Sequence, residues 1–228
     1  MCGHNEPVDG ARHTPGHADT LRALLYGEAA LDDWADQGAG RTDEPWASFE
    51  RARLLAYAGK RRKAVKIWRE IALTKGIGTR QALQAWHFMR ESGSPPPAEV
   101  AKVALGAVAE VPMHGSHDLL AAYQDGTASY VNYSGKSAGW DDPSAGPMQA
   151  AISQWLAMAQ NIASTIGPWD KPSLPPLPAG NARVAALTAS GPHFGQGPQE
   201  ALSANPLADR FLGAATSVMQ LIVNNAAG

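Results

Sequence analysis

Cysteine is almost absent from this chain: Cys2 is the only one in 228 residues. A lone cysteine cannot close an intrachain bridge, so a disulfide-stapled export scaffold is excluded. Charge is scarce as well. Charged side chains make up 18% of the residues and the net charge is -2. That balance excludes whole-surface attraction to nucleic acid or anionic lipid. No run of 18 uninterrupted apolar residues occurs, so no membrane-spanning helix is expected. The first residues carry no apolar leader. These absences lead us to expect a soluble, cytoplasmic protein with no membrane partner. Signature motifs are missing too: no HExxH, Walker loop, CxxC pair, nucleophile elbow or dinucleotide fingerprint. No cofactor is therefore expected.

What is present is punctuation and tryptophan. The chain has 23 Gly, 17 Pro and 7 Trp. Residues 1–18 are rich in Gly, Pro and His without periodicity and are read as a flexible tail. Residues 19–94 are read as helical. Leu21, Leu24, Leu25, Ala29 and Trp34 have the spacing of one or two short amphipathic helices broken near Gly27. "EPWASFERARLLAYAG" starts on Pro45 and stops on Gly59, with Trp46, Phe49, Leu54 and Tyr57 on roughly one side. "RRKAVKIWREIALTKG" buries Val65, Trp68, Ile71 and Ala72, and "TRQALQAWHFMRESG" buries Leu83, Trp86 and Met89 and closes at Gly93. Short connections make these helices antiparallel neighbours.

"SGSPPPAEV" marks a composition shift, and residues 95–228 are read as an α+β domain. "LGAVAEV" and "HDLLAAYQDGTASYVNYSGKSAGW" look like a meander turning at Asp125-Gly126 and Ser134-Gly135. A long helix follows, with Ile152, Trp155, Leu156, Ala159, Ile162 and Ile166 at helical spacing. Next come a stiff Pro-rich connector, one or two strands around "ARVAALTASGPHFGQGP", and a closing helix over Leu207–Ile222. The expected fold is an antiparallel sheet of about five strands with helices packed on one face.

Two resemblances attach to these segments. Gly59 and Gly93 lie 34 residues apart, and "LLAYAGKRRKAVKIWREIA" resembles the middle of a tetratricopeptide repeat over about one unit. The order of strands and helices in 95–228 is similar to the general plan of profilin-like, longin-like and roadblock-like domains. A third concerns the start. "MCG" resembles class II glutamine amidotransferases and the abasic-site-binding SRAP proteins, which implies an N-terminal cysteine nucleophile. Those amidotransferases continue into a buried strand, whereas "HNEPVDG" cannot form one, so a loose tail is the reading here.

Several residues have the atom types of a site. Cys2, His4, His13 and His17 are metal ligands by type, but "HTPGH" is not helical and lacks a partner pair, so no designed metal site is expected. His114, His117 and Asp118 sit in one turn and His193 and Gln196 in another. If both turns share one end of the sheet, they converge as proton-transfer or metal-binding groups. The plainer reading is turn chemistry. Lys60, Arg61, Arg62, Lys63, Lys66 and Arg69 form one basic cluster that could engage nucleic acid or an acidic partner; the plainer reading, favoured here, is a solvated helix start, since no aromatic or motif context supports nucleic acid. Trp140 and Trp169, beside Gly- and Pro-rich turns, are partner anchors or loop staples. The expectation is a non-catalytic protein-interaction or adaptor module whose partner is itself or another protein. The alternative is a small-ligand- or metal-binding protein, or an enzyme, using the His114/His117/Asp118 and His193 turns.

Overall fold

The computed structural model describes residues 17–142 and 146–226. The helical region opens with α1 (His17–Tyr26) and α2 (Leu31–Gln37) and continues through α3 (Trp46–Tyr57), α4 (Arg61–Leu73), α5 (Thr79–Glu91) and the single turn α6 (Ala98–Ala101). Gly59 and Gly93 end α3 and α5 at φ +71 and +73, the left-handed conformation in which glycine has no Cβ to clash. Aromatic residues bind α2–α5 together. Trp34 stacks on Trp46 with centroids 5.3 Å apart, and Phe88 of α5 meets both Phe49 and Trp68.

The sheet follows: β1 (Ala104–Met113), β2 (Ser116–Tyr123), β3 (Ala128–Val131), β4 (Ser137–Trp140), then α7 (Pro147–Thr165), β5 (Asn181–Thr188) and β6 (Gly191–Pro198). The chain closes with α8 (Gln199–Ser203) and α9 (Pro206–Ala226). The strand order is β4-β3-β2-β1-β5-β6 and every pairing is antiparallel. This α+β architecture is the class expected, with one strand more. β4, "SAGW", is the run that follows the Ser134-Gly135 turn of the expected meander.

Both faces of the sheet are covered, not one. Ala107, Ala109, Leu120, Ala122, Val184 and Ala186 face α7 and α9. There Trp155 and Phe211 meet edge to face at 5.5 Å. On the opposite face Val108, Leu119, Ala121, Tyr123, Ala185 and Leu187 meet Leu25 and Tyr26 of α1 and Leu83 of α5. The single-face expectation fails because α5 is buried on every side from Ala82 to Met89. A helix buried all round has a second face to cover. Its Trp86, Phe88 and Met89 serve the helical core, and its Leu83 serves the sheet.

The Pro-rich connector between α7 and β5 runs beside β6. The Trp169 N–H donates to the Pro192 carbonyl at 2.8 Å, and the Trp169 and Phe194 rings lie 5.2 Å apart. Gln196 Nε2 donates to the Pro176 carbonyl at 3.3 Å. The connector thereby occupies one backbone acceptor of the edge strand β6, that of Pro192.

Candidate functional site

The two histidine turns do not meet. His117 pairs with Pro112 of β1, whereas His193 lies level with Ala107, through Ala186. Five residue levels along the strands and three strand spacings across separate them, roughly 20 Å. The β1–β2 turn and the β5–β6 turn occupy opposite ends of the sheet. His114 is exposed in its turn at φ 47 and packs on Tyr133 at 4.7 Å. His117 Nε2 lies 3.1 Å from the Asn181 carbonyl. Asp118 accepts from the Tyr130 hydroxyl at 2.6 Å and the Tyr133 N–H at 2.8 Å, closing the meander. Among the described residues no three His, Cys, Asp or Glu side chains gather to hold a metal. Cys2, His4 and His13 lie outside the described residues, as does the side chain of His17.

His193 and Gln196 are three residues apart on one strand, so they point to opposite faces. Gln196 belongs to a polar cluster on the α1 side. Glu110 of β1 faces Arg183 of β5 and Gln196 of β6 in one cross-strand row. Glu110 is fully buried and accepts from Arg183 Nη1 at 2.9 Å, Tyr26 Oη at 2.9 Å and Arg22 Nε at 2.6 Å. Arg183 donates its remaining fork to Gln196 Oε1 and the Pro175 carbonyl. Burial, and then the neighbouring carboxylate of Glu110, hold the Tyr26 hydroxyl well above its usual range. The row closes on itself: each charge is met by a partner within the chain. A cleft of about 550 Å³ lies over it, between α1 and the connector.

On the other face His193 is fully buried. Its Nδ1 lies 2.7 Å from the Ile166 carbonyl, and its Nε2 lies 3.1 Å from Ser190 Oγ and 3.2 Å from Thr188 Oγ1. Burial, and the charge of Lys102, lower its pKa, against the pull of the Ile166 carbonyl. Ser190 looks into a cleft of about 630 Å³ that it shares with Glu28, His87, Arg90, Trp169 and Lys171. Arg90 donates to the Ala189 carbonyl at 2.8 Å and to Glu28 at 2.9 Å. Sequence reasoning picked out His193 and Trp169 here but missed Ser190 and Arg90. It also missed Glu110 and Arg183, whose signal was available: one opposite charge each in "AVAEVPM" and "NARVAALT", both otherwise apolar strands.

Trp140 and Trp169 are both held within the chain. The Trp140 indole donates to the Asp142 carbonyl, and the Trp169 indole donates to the Ser173 carbonyl at 2.8 Å. An open surface lies elsewhere, at the α3–α4 turn. Leu54 and Tyr57 are 57% and 60% exposed, large values for apolar side chains on a helix end. Lys60, Arg61, Arg62 and Lys63 follow, all exposed. Among the described residues the only ion pair made by α4 is Lys66 with Glu70, at 4.0 Å. The basic side chains of the first turn therefore keep their charge free, at a helix end whose dipole repels them.

No protein-family model, no characterised protein and no solved structure matches this chain. Among the described residues no helix is long and apolar enough to cross a membrane.

Proposed function

We propose that the chain is a protein-contact module whose α3–α4 turn docks an acidic segment of a partner protein carrying an apolar anchor. One observation carries this reading: four unpaired cations at residues 60–63 flank the exposed Leu54 and Tyr57. Stability does not account for them, because cations in the first turn of a helix oppose its dipole. A residue set that breaks a local rule without a folding benefit points to a use outside the fold. The whole chain carries a net charge of -2, so this positive cluster is a local field against an acidic remainder, and it selects for charge and contact together. Residues 19–94 supply the contact surface, and residues 95–228 supply the platform on which α1 and α5 rest. The α3–α4 hairpin has the look of one tetratricopeptide unit. The meander and hairpin joined through α7 share a coarse plan with profilin- and longin-like domains.

The test is fluorescence anisotropy with a short labelled peptide of Glu, Asp and Leu, at low and high salt. The variant reverses Lys60, Arg61, Arg62 and Lys63 to Glu. Expected is saturable, salt-sensitive binding that the variant weakens by at least about tenfold, or ~1.4 kcal/mol. Leu54→Ala weakens it further. Equal binding of wild type and variant overturns the reading. So does a single-stranded RNA that binds as well as the peptide, which would mark a general polyanion surface.

A further inference from the structure

The β5–β6 turn holds an arrangement that turn geometry alone does not require, and it lies apart from the contact surface just described. A carbonyl only accepts, so His193 Nδ1 must donate to Ile166 across their 2.7 Å contact. That places the ring proton on Nδ1. The buried ring is neutral, so Nε2 carries a lone pair. Two hydroxyls approach it. Thr188 Oγ1 lies 3.0 Å from the Gly191 carbonyl and 2.9 Å from Ser190 Oγ, and it accepts the Ser190 N–H at 3.1 Å. With the single Thr188 proton on the Gly191 carbonyl, the Ser190 hydroxyl is left to donate to Nε2, 3.1 Å away. Serine, base and an orienting acceptor stand in sequence, with the imidazole fixed in one tautomer.

The surroundings suit that order. His193 is shut off from solvent, whereas Ser190 is only partly buried and lines the cleft. The Arg90 guanidinium lies over the same turn: a Cβ at Gly191 would sit 3.6–3.8 Å from its Nε, Cζ and Nη2. Two of its N–H groups are spent on Ala189 and Glu28. The others are at hand for negative charge on a carbonyl oxygen placed above Ser190. Trp169 and Pro95, Pro168 and Pro172 give the cleft apolar walls that fit a short acyl chain.

We propose that Ser190 is an acyl-accepting nucleophile, with His193 as its base, for a small ester in this cleft. Ser190 Oγ bonds to the ester carbonyl carbon as its proton passes to His193 Nε2. The carbon–oxygen bond to the leaving alcohol breaks, and the alcohol takes that proton. Water then attacks the acyl-serine, giving its proton to Nε2 and releasing the acid. Ser190 Oγ recovers the proton.

The experiment is incubation of the native protein with a fluorophosphonate probe, followed by intact mass and peptide mapping. Displacement of fluoride by Ser190 Oγ is expected to give one adduct per chain, on the peptide containing Ser190. Ser190→Ala abolishes it, and His193→Gln slows it roughly a hundredfold, the usual scale of general-base assistance. Denaturant abolishes labelling of the wild type, which reads activation by the fold even if His193→Gln does not fold. No adduct on folded wild type overturns the proposal. So does an adduct that survives Ser190→Ala, or one that forms as fast in denaturant.

Discussion

Glu110 and Arg183 stand opposite one another on β1 and β5, both side chains out of solvent, with Nη1 2.9 Å from Oε1. Desolvating two ions opposes folding, and the geometry offsets it through three donors on the carboxylate and three acceptors on the guanidinium. Removing Arg183 leaves the buried Glu110 with the half-buried Arg22 as its remaining cation and the Tyr26 hydroxyl as its neutral donor. Arg183→Met is expected to lose about 3–5 kcal/mol in urea unfolding. Glu110→Leu combined with Arg183→Met recovers most of that loss. A double variant as unstable as the single one would show that the pair itself, not its imbalance, holds β1 to β5.

Gln84 of α5 is fully buried and holds both backbone groups of Ala29: Oε1 accepts its N–H at 3.0 Å and Nε2 donates to its carbonyl at 2.8 Å. Gln84→Leu keeps the volume and strands two buried polar groups. Each orphan costs about 1–3 kcal/mol. Denaturant melts are expected to show a loss of at least ~2 kcal/mol, with amide exchange at Ala29 rising first.

Gly27 breaks the chain between α1 and α2 at φ +66, and a Cβ there would lie 2.6 Å from Leu83 Cβ. Backbone conformation and space both refuse a side chain. Gly27→Ala is expected to destabilise by more than the ~1 kcal/mol of a simple left-handed alanine, because α1 must lift from α5. Calorimetry checks the size, and Gly40→Ala, at φ +77 with open space around it, is the control.

His87 is neutral in the fold. Burial, and then the charge of Arg90, push its pKa down from 6.5 to about 3. Glu91 lies 3.5 Å from Nε2 and Glu28 4.0 Å from Nδ1, and two carboxylates would favour a charged ring. Glu28 is already paired with Arg90 at 2.9 Å, so burial decides. A depressed histidine stabilises the fold fully above its unfolded pKa near 6.5 and loses that contribution as pH falls towards 3. The unfolded chain binds the extra proton in that window, so the slope nears 1.4 kcal/mol per pH unit. Glu28 and Glu91, both raised by burial, act in the opposite direction at the acid end. The difference in stability between wild type and His87→Gln therefore isolates the histidine. It is expected to shrink steadily below pH 6.5, and a pH-independent difference would mean that His87 is not buried neutral.

Periodicity made α5, α7 and α9 readable, since Leu83, Trp155 and Phe211 recur where a 3.6 period needs an apolar residue. It did not tell which surface a helix meets, so α1 and α5 went unassigned to the sheet. The histidine turns show a second limit. Turn dipeptides mark where a chain reverses, but whether β5 runs parallel or antiparallel to β1 decides the end at which its turn emerges. That choice is made by distant pairings such as Glu110 with Arg183. Ser190 was unreadable for a related reason: a serine in a glycine-rich turn has no pattern until a histidine three residues on is buried against the end of α7.

The position of β1 also sets a problem in time. Its partner β2 follows at once, but the residues that complete its other side come 73 positions after Glu110. At about 5–20 residues per second, synthesis leaves that flank open for roughly 4–15 s. For that interval the nascent chain displays a bare strand edge with a carboxylate in its middle that lacks its Arg183 partner. The carboxylate discourages a stray strand from joining there, much as inward charges guard natural edges. The same group that later binds β5 thus keeps its place vacant until β5 arrives. A ribosome-stalled chain ending before Asn181 is expected to aggregate faster with Glu110→Leu than with Glu110 intact.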